Sequence, residues 1–562
     1  MNNLDPVVHR LKAAALILAC VLFFTPGRPV SADVNQPGPT YTVTTNIANG
    51  DGVCSVSECT LREAIQAANA DGVDSVINLQ DTVNYELNDF VDNTKGQTAL
   101  PAITTPITIH GNGSSIIRPT TLTCNLDIPN EPEAWEFRFF YISPSGNLVL
   151  DNLTLKNGCL DGAGNHGGAI YNEGSLSLED VSFEDNKTAR SGGAITIAEN
   201  ATANIQSCTF TNSRSSWQFG GHIWNQGTLT LANTTLTTGW SLQGGGGLYN
   251  TGNAQITACQ FVDNHSSSSG GGLMTEGPIN VAGCNFSNNE ANFQGGGINF
   301  QNTTASISDT TIQNNSTSGY GGGIANDNSI VTIEKSLIMS NLANNGGGAY
   351  ITGPDPFATN LFTMRNVQVS DNRSRENGGG IYACYGIMNI EFSNVISNRA
   401  NNSLVDPSYA TYQGGGIYRC SHTTVTMKNS ILAENDVPYG TYQQSYGPIT
   451  SLDYNLFGDT AEMSSPVFAS HDILNLSPLL GPLQDNGGPT FSHFPLLFSP
   501  VVDQIPAGVN GCGTDFTVDQ RGFVRPADAY GNGSNACDIG AVEADANSLI
   551  PPFHVFLPLL RR

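Results

Sequence analysis

Charge is scarce in this sequence. Only 12% of its 562 residues are charged, and 22 Lys and Arg face 48 Asp and Glu, a formal charge of −26. That balance excludes nucleic acid and anionic lipid as partners, since both require a basic face. Long apolar runs are missing too. After Phe24 no stretch approaches the ~20 apolar residues of a membrane helix, so no transmembrane helix is expected in the mature chain, which is then soluble or held at a surface by its end. Carboxylates do not cluster with a partner base, Arg or Lys, so hydrolase or lyase chemistry finds no evident set of residues.

The N-terminus has what the rest lacks. His9, Arg10 and Lys12 precede an apolar run from Ala13 to Phe24, and Val30-Ser31-Ala32 offers a small-residue cleavage site. This is the pattern of a secretory signal peptide over 1–32. Cys20 follows Leu18-Ala19 as in a lipobox, but it sits in mid-run with four more apolar residues after it. Export sets an extracellular or cell-surface location.

Glycine is abundant, at 62 residues. With so few charges, this suits short uncharged strands cut by many tight turns. A diglycine followed by a small residue and an aliphatic one recurs at Ile170, Ile195, Ile223, Leu248, Leu273, Ile298, Ile324, Ala349, Ile381 and Ile417, spaced 25, 28, 25, 25, 25, 26, 25, 32 and 36 residues apart. A period of this kind signals a solenoid. Within each period the apolar residues alternate, as in Leu176, Leu178, Val181 and Phe183, which means strand. The predicted fold is all-β: a right-handed parallel β-helix with a short N-terminal capping helix.

In such a stack every inward residue meets its equivalent one coil away, about 4.8 Å distant. Phe183, Phe210, Leu236, Phe261, Phe286, Ile312, Ile338, Val369, Val395 and Leu432 are the expected core ladder. An Asn follows three residues later at 186, 264, 289, 315, 341, 372, 398 and 435, broken by Ser213 and Gly239. It is expected to take the left-handed turn conformation and to hydrogen-bond its neighbour's backbone. Corner glycines allow positive φ and close approach of backbones. The two longest periods place loops at about Gly353 to Leu361 and Asn401 to Tyr412, where function usually sits.

A solenoid needs capped ends. Thr60-Leu61-Arg62-Glu63 forms a capping box, and Leu61, Ala64, Ile65 and Ala68 give one apolar helical face. The surrounding CSVSECTLREAIQAAN resembles the N-terminal region of bacterial surface proteins named for a CSLREA motif, with Thr60 in place of the family's Ser and Cys59 at its first Cys. The repeats, over roughly 140–436, resemble those of polymorphic outer membrane proteins, whose GGAI and FxxN motifs match Gly167 to Ile170 and Phe183 to Asn186. Farther on, YNLFGD (Tyr454 to Asp459), LQDNGGPT (Leu483 to Thr490), DQRGFVRP (Asp519 to Pro526) and CDIGAVE (Cys537 to Glu543) resemble the choice-of-anchor Q domain, which implies surface attachment by a C-terminal sorting signal. The expected organisation is signal peptide 1–32, N-terminal cap 33–75, β-helix 76–455, C-terminal region 456–545 and a tail 546–562 whose FHVFLPLLRR reads as a sorting signal or a disordered end. Motifs of polygalacturonase-like and pectate-lyase-like enzymes are absent.

Export leaves every cysteine but Cys20 in an oxidising compartment. Cys54 with Cys59 and Cys512 with Cys537 are the expected disulfides, being local and in loop-rich caps. Cys259 and Cys284 share one position on successive coils, as do Cys384 and Cys420; buried free thiols are expected there rather than metal ligands, because no His accompanies them. No cofactor is expected beyond weak surface calcium at the turn acids Asp185, Asp263, Asp371 and Glu434. His222, replacing the small residue of its motif, reads as structural.

The residue after each anchor is aromatic in six of ten coils: Tyr171, Trp224, Tyr249, Tyr350, Tyr382 and Tyr418. Alternation sends these outward, where flat rings in a row can stack on sugars or simply stiffen the sheet; Met274, Asn299 and Ala325 divide them into two patches. Two function classes follow. One is a monomeric surface adhesin or scaffold that binds an extracellular polysaccharide or glycoprotein. The other is a β-helix carbohydrate-active enzyme, and the lack of convergent catalytic groups favours the scaffold.

Overall fold

The computed structural model describes residues 38–546 apart from 127–131, 163, 354–359, 401–411, 439 and 534. The expected leader, the tail from 547 and the bodies of both loop insertions lie outside the described residues. Each sequence period is one coil of a parallel β-helix, and thirty-seven short strands join one sheet in parallel pairing. In a typical coil, Leu248–Asn250 carries the anchor, Asn253–Thr257 and Gln260–Val262 follow across tight turns, and His265–Ser266 leads to the glycine corner.

All ten anchors stand opposite one another from Ile170 to Ile417 and are fully buried. The Phe-position ladder is equally continuous and buried from Phe183 to Leu432. Phe183 stacks on Phe210, and Phe261 on Phe286, with ring centroids 4.5 Å apart in both pairs. Stacking alike on alike lets each ring bury two faces in its neighbours, beyond the gain from leaving water.

The Asn ladder is buried. From Asn264 onward each Nδ2 donates to the next coil's Asn Oδ1 at 2.9–3.0 Å and to a carbonyl of the preceding coil. Gln444 Oε1 closes the row beyond Asn435 at 3.0 Å. The left-handed conformation expected of these asparagines belongs instead to the residue before each: Asp185, Asp263, Asn288 and Asp371 have φ of 54–57°. Their short side chains face solvent and tolerate that region, which frees the following Asn to point inward. Where the row lapses at Gly239, the buried His222 fills the space; its Nε2 lies 3.0 Å from Thr237 O, and a Cβ on Gly239 would fall 2.5 Å from the ring. Burial pulls the His222 pKa down to about 3, so the ring is neutral.

The two corner glycines do different things. Gly220 has φ of +67°, whereas a Cβ on Gly221 would lie 2.0 Å from the carbonyl oxygen of Gly246 in the next coil. The first permits the turn, and the second lets successive corners touch.

The parallel stack begins before the expected boundary. Thr40–Thr42 pairs with Ser75–Asn78, and the helix Leu61–Asp71 is spliced between them. Its capping box forms in both directions, and Gly72 ends it in the left-handed conformation. At the other end, the Leu456–Phe457 strand of YNLFGD is itself a coil strand, followed by Ile473–Leu474. The chain then folds back along the outside of the stack through the hairpin Leu480–Gln484 and Ser492–Pro495 and the pair Ile505–Pro506 and Ala536–Cys537. It covers the outward residues Phe392, Ile396, Ile431 and Ala433 with Val501, Val502, Ile505 and Ile539. Asn366 Nδ2 donates to Val518 O at 3.0 Å, and Gly540 N donates to Asn429 O at 2.8 Å.

DQRGFVRP and CDIGAVE meet in that returning segment. Arg521 pairs with Asp519 at 2.8 Å and Arg525 with Glu543 at 3.1 Å, all buried. Asp538 accepts from the backbone N–H groups of Asp503 and Ala544, each at 2.7 Å, and the Arg525 guanidinium lies over the Phe392 ring. Cys512–Cys537 staples the segment as expected, and Cys54–Cys59 staples the N-terminal loop.

Two cysteine expectations need correction. Cys384 and Cys420 are bonded rather than free, because three past the anchor is an outward position and their strands, Ile381–Glu391 and Ile417–Lys428, run on without the usual turn. Cys124–Cys159 was not anticipated, since it ties a loop to a strand across 35 residues with no repeat to mark it. Cys259 and Cys284 are buried free thiols, with Cys208 a third.

Candidate functional site on the outward aromatic stripe

The stripe keeps register through every coil from Tyr141 to Tyr446. Direction and exposure part company at the first patch. Tyr249 is 5% exposed; its ring stacks on Phe219 at 4.2 Å and its hydroxyl donates to Glu276 Oε1 at 2.9 Å. Trp224 packs against His166 at 4.9 Å and leaves a buried Nε1 without an acceptor among the described residues. Tyr171 lies between Tyr141 at 6.2 Å and the Arg138 guanidinium at 5.2 Å. The first of the two patches is therefore covered at Tyr249 and half-buried at Tyr171 and Trp224. His166 and Phe219 each precede a diglycine, and the corner folds them over rings of later coils. An aromatic at that position was the signal to read.

The second patch is a continuous stack. Tyr320, which also precedes its corner glycines, lies 4.7 Å from Tyr350. Tyr350–Tyr382, Tyr382–Tyr418 and Tyr418–Tyr446 follow at 5.6, 4.6 and 4.9 Å, with Tyr382 and Tyr418 only 6° from parallel. Rings arranged this way give their faces to each other, and Tyr350, Tyr382 and Tyr418 are each half-buried. Burial raises the phenols of Tyr350, Tyr382 and Tyr418, and neighbouring tyrosines raise all three further. They stay protonated at neutral pH. Cys384–Cys420 pins the two coils that carry Tyr382 and Tyr418.

Residues 180–198 match the model of the Chlamydia polymorphic membrane protein repeat. The matched stretch holds FEDN and the next GGAI, and the structure gives four of these residues a task. Phe183 belongs to the core ladder, Asn186 accepts from Gly158 N at 2.9 Å, Gly192 takes φ of +70°, and Ile195 is an anchor. No curated protein and no solved structure matches the chain. The similarity covers one repeat, and no match to CSLREA or choice-of-anchor domains accompanies it.

Other groupings complete the surface. A cleft of about 420 Å³ between the stack and the returning segment is lined by Glu334, Arg365, Glu391, Lys428 and Phe516. These charges alternate in sign on successive coils and pair with one another, Arg365–Glu391 and Lys428–Glu391 both at 2.9 Å. They neutralise themselves and leave no surplus for an acid or anion. The turn acids considered for calcium stand singly at left-handed positions. Among the described residues, Asp51, Glu58 and Glu63 form a group of three carboxylates within 4.8 Å, which sequence reading missed because they are brought together by the Cys54–Cys59 loop. Glu63 already accepts from Gly52 N and Thr60 N at 2.6 and 2.8 Å. No helix among the described residues is long and apolar enough to cross a membrane, which says nothing of a β-barrel.

Proposed function

We propose that this protein is an extracellular or cell-surface scaffold that binds an extended polysaccharide or glycoprotein along the outside of its β-helix without cleaving it. The observation that carries the reading is the row of stacked tyrosines from Tyr320 to Tyr446, a rigid line of rings at coil spacing. Tyr350, Tyr382 and Tyr418 form its centre; Tyr171, Trp224 and Tyr249 extend the same register toward the N-terminus. A formal charge of −26 disfavours acidic glycans. Surface placement is supported by the single repeat similar to that of polymorphic membrane proteins and by four disulfides, which suit an oxidising compartment. The protein is expected to act as a monomer.

The test is a glycan array run alongside a reducing-end assay on the same purified protein. Binding that is weakly salt-dependent, weakened by the Tyr382→Ala, Tyr418→Ala double change and unaccompanied by released reducing ends supports the scaffold. Steady release of reducing ends would replace it with a carbohydrate-active enzyme. Equal binding by wild type, by that double variant and by Trp224→Ala, Tyr249→Ala would retire the aromatic stripe.

A further inference from the structure

The strand after each anchor strand presents three outward ranks; over seven successive coils the first two contain no charge, and the third, from Glu179 to Glu334, carries one only at its two ends. Ser177, Asn204, Thr230, Gln255, Asn280, Ser306 and Thr332 stand in register as one rank. Ser175, Thr202, Thr228, Asn253, Thr304 and Ile330 form the other, with Pro278 in the place between Asn253 and Thr304. In a chain of formal charge −26 this is a neutral field of hydroxyls and amides on a flat lattice, with about 4.8 Å between coils.

At Pro278 the field dips. Asn253, Pro278, Asn280, Thr304, Ser306 and Ile330 line a groove of about 270 Å³ that runs along the stack across four coils. Ile330 is 41% exposed, an uncommon state for Ile inside a polar rank. Ser306 Oγ donates to Asn280 Oδ1 at 2.6 Å, while the side chains of Asn253, Thr304 and Thr332 have no partner among the described residues. An apolar floor with unspent neutral donors and acceptors along its rim is the chemistry that receives a sugar ring, C–H face down and hydroxyls to the sides. A peptide strand would need a free sheet edge, and this face offers only side chains because both neighbouring coils already pair its strands.

We propose that this face is a binding surface for an uncharged polysaccharide chain laid along the stack, with the Pro278–Ile330 groove as its central subsite. The inference rests on the glycan-binding reading above and places the chain one corner of the coil away from Tyr249. Neutrality follows from the ranks: an acidic glycan would meet no cation there, and Glu276 at the groove's margin would repel it.

The experiment is sedimentation of the full chain with insoluble cellulose, chitin and mannan, and affinity electrophoresis in soluble neutral glucan and in polygalacturonate. The variants are Ile330→Glu, Thr304→Val and Tyr382→Ala, Tyr418→Ala, with thermal melts on each. Retention by a neutral polymer but not by polygalacturonate, reduced about tenfold or more by Ile330→Glu, which places an unpaired charge in the groove, and reduced to a lesser degree by the near-isosteric Thr304→Val, is the expected result. Undiminished retention of both groove variants overturns the subsite; if the tyrosine double variant then loses retention, the glycan-binding reading stands without it. Failure of wild type to bind any polymer in the set, with normal melts, overturns both. Should Ile330→Glu melt early, Thr304→Val alone decides.

Discussion

The stack and the segment that returns along it are built by opposite means. In the stack the Asn row from Asn264 to Asn435 satisfies each side chain with its own equivalent one coil away, a single interaction used repeatedly. The returning segment repeats nothing. It depends on buried ion pairs at Arg521 and Arg525, one disulfide and an apolar strip borrowed from the outside of the coils. Loss in a repeated system should stay local and graded, since each coil touches only its neighbours. Loss in a singular network should release the segment as a unit, because a buried charge without its partner destabilises the fold strongly.

The largest expected effect that would break this contrast is in the stack. Phe261→Ala removes a ring that meets Leu236 and Phe286 and should cost about 5 kcal/mol. Hydrogen exchange should show early opening of the neighbouring coils only; a single cooperative loss of the whole chain would deny the stack its local character. Arg525→Met should cost about 3 kcal/mol by stranding Glu543 and Asp538, with exchange rising through 503–543 while the coils from Ile195 to Ala349 stay protected. Asn315→Ala breaks one rung and leaves neighbours underbonded, for about 2 kcal/mol. A melt unchanged by it would mean the row is decoration.

The two regions should also respond to pH with opposite sign. Glu543 is raised by burial from the usual carboxylate range to about 7, and Asp538 is raised as well. A raised folded-state pKa contributes stability that is full below about 4.5 and is lost as pH rises through 7. His222 is lowered to about 3 by burial, so its neutral ring costs stability as pH falls below the usual His value near 6.5, through the window down to 3. Between pH 7 and 5, exchange should slow around Asp538 and Glu543 and quicken around His222. The same direction in both places would refute the assignment. The smallest effect on stability is expected from Tyr382→Phe, within about 0.5 kcal/mol; it keeps the stacked ring and removes one hydroxyl, so any fall in glycan retention would sharpen the roles of ring and donor.

The repeat made much of the stack legible. A period of about 25 residues places Ile170 and Ile417 on one inner face, because parallel stacking turns sequence recurrence into spatial recurrence. The capping box at Thr60 and Glu63 was equally readable, being local chemistry within one turn of helix. Legibility fell off where the structure departs from recurrence. Cys124 and Cys159 carry no spacing signal, and the motifs around Asp519 and Asp538 looked like features of a separate region until folding set them against Phe392. At the aromatic stripe, alternation predicted direction but could not predict cover, because Phe219 and His166 reach Tyr249 and Trp224 across coils through the corner turns.

What the amino-acid order determined by itself is therefore the coil: which residues face in, where glycines must stand, and that the chain is a parallel solenoid with few charges. Only the tertiary structure decided which outward residues remain available, since the returning segment covers one face, the tyrosines cover each other and the ranks beside Pro278 stay open. The reason is physical. Inward positions are dictated by the neighbour one period away, whereas exposure on the outside depends on distant segments whose path no local period encodes.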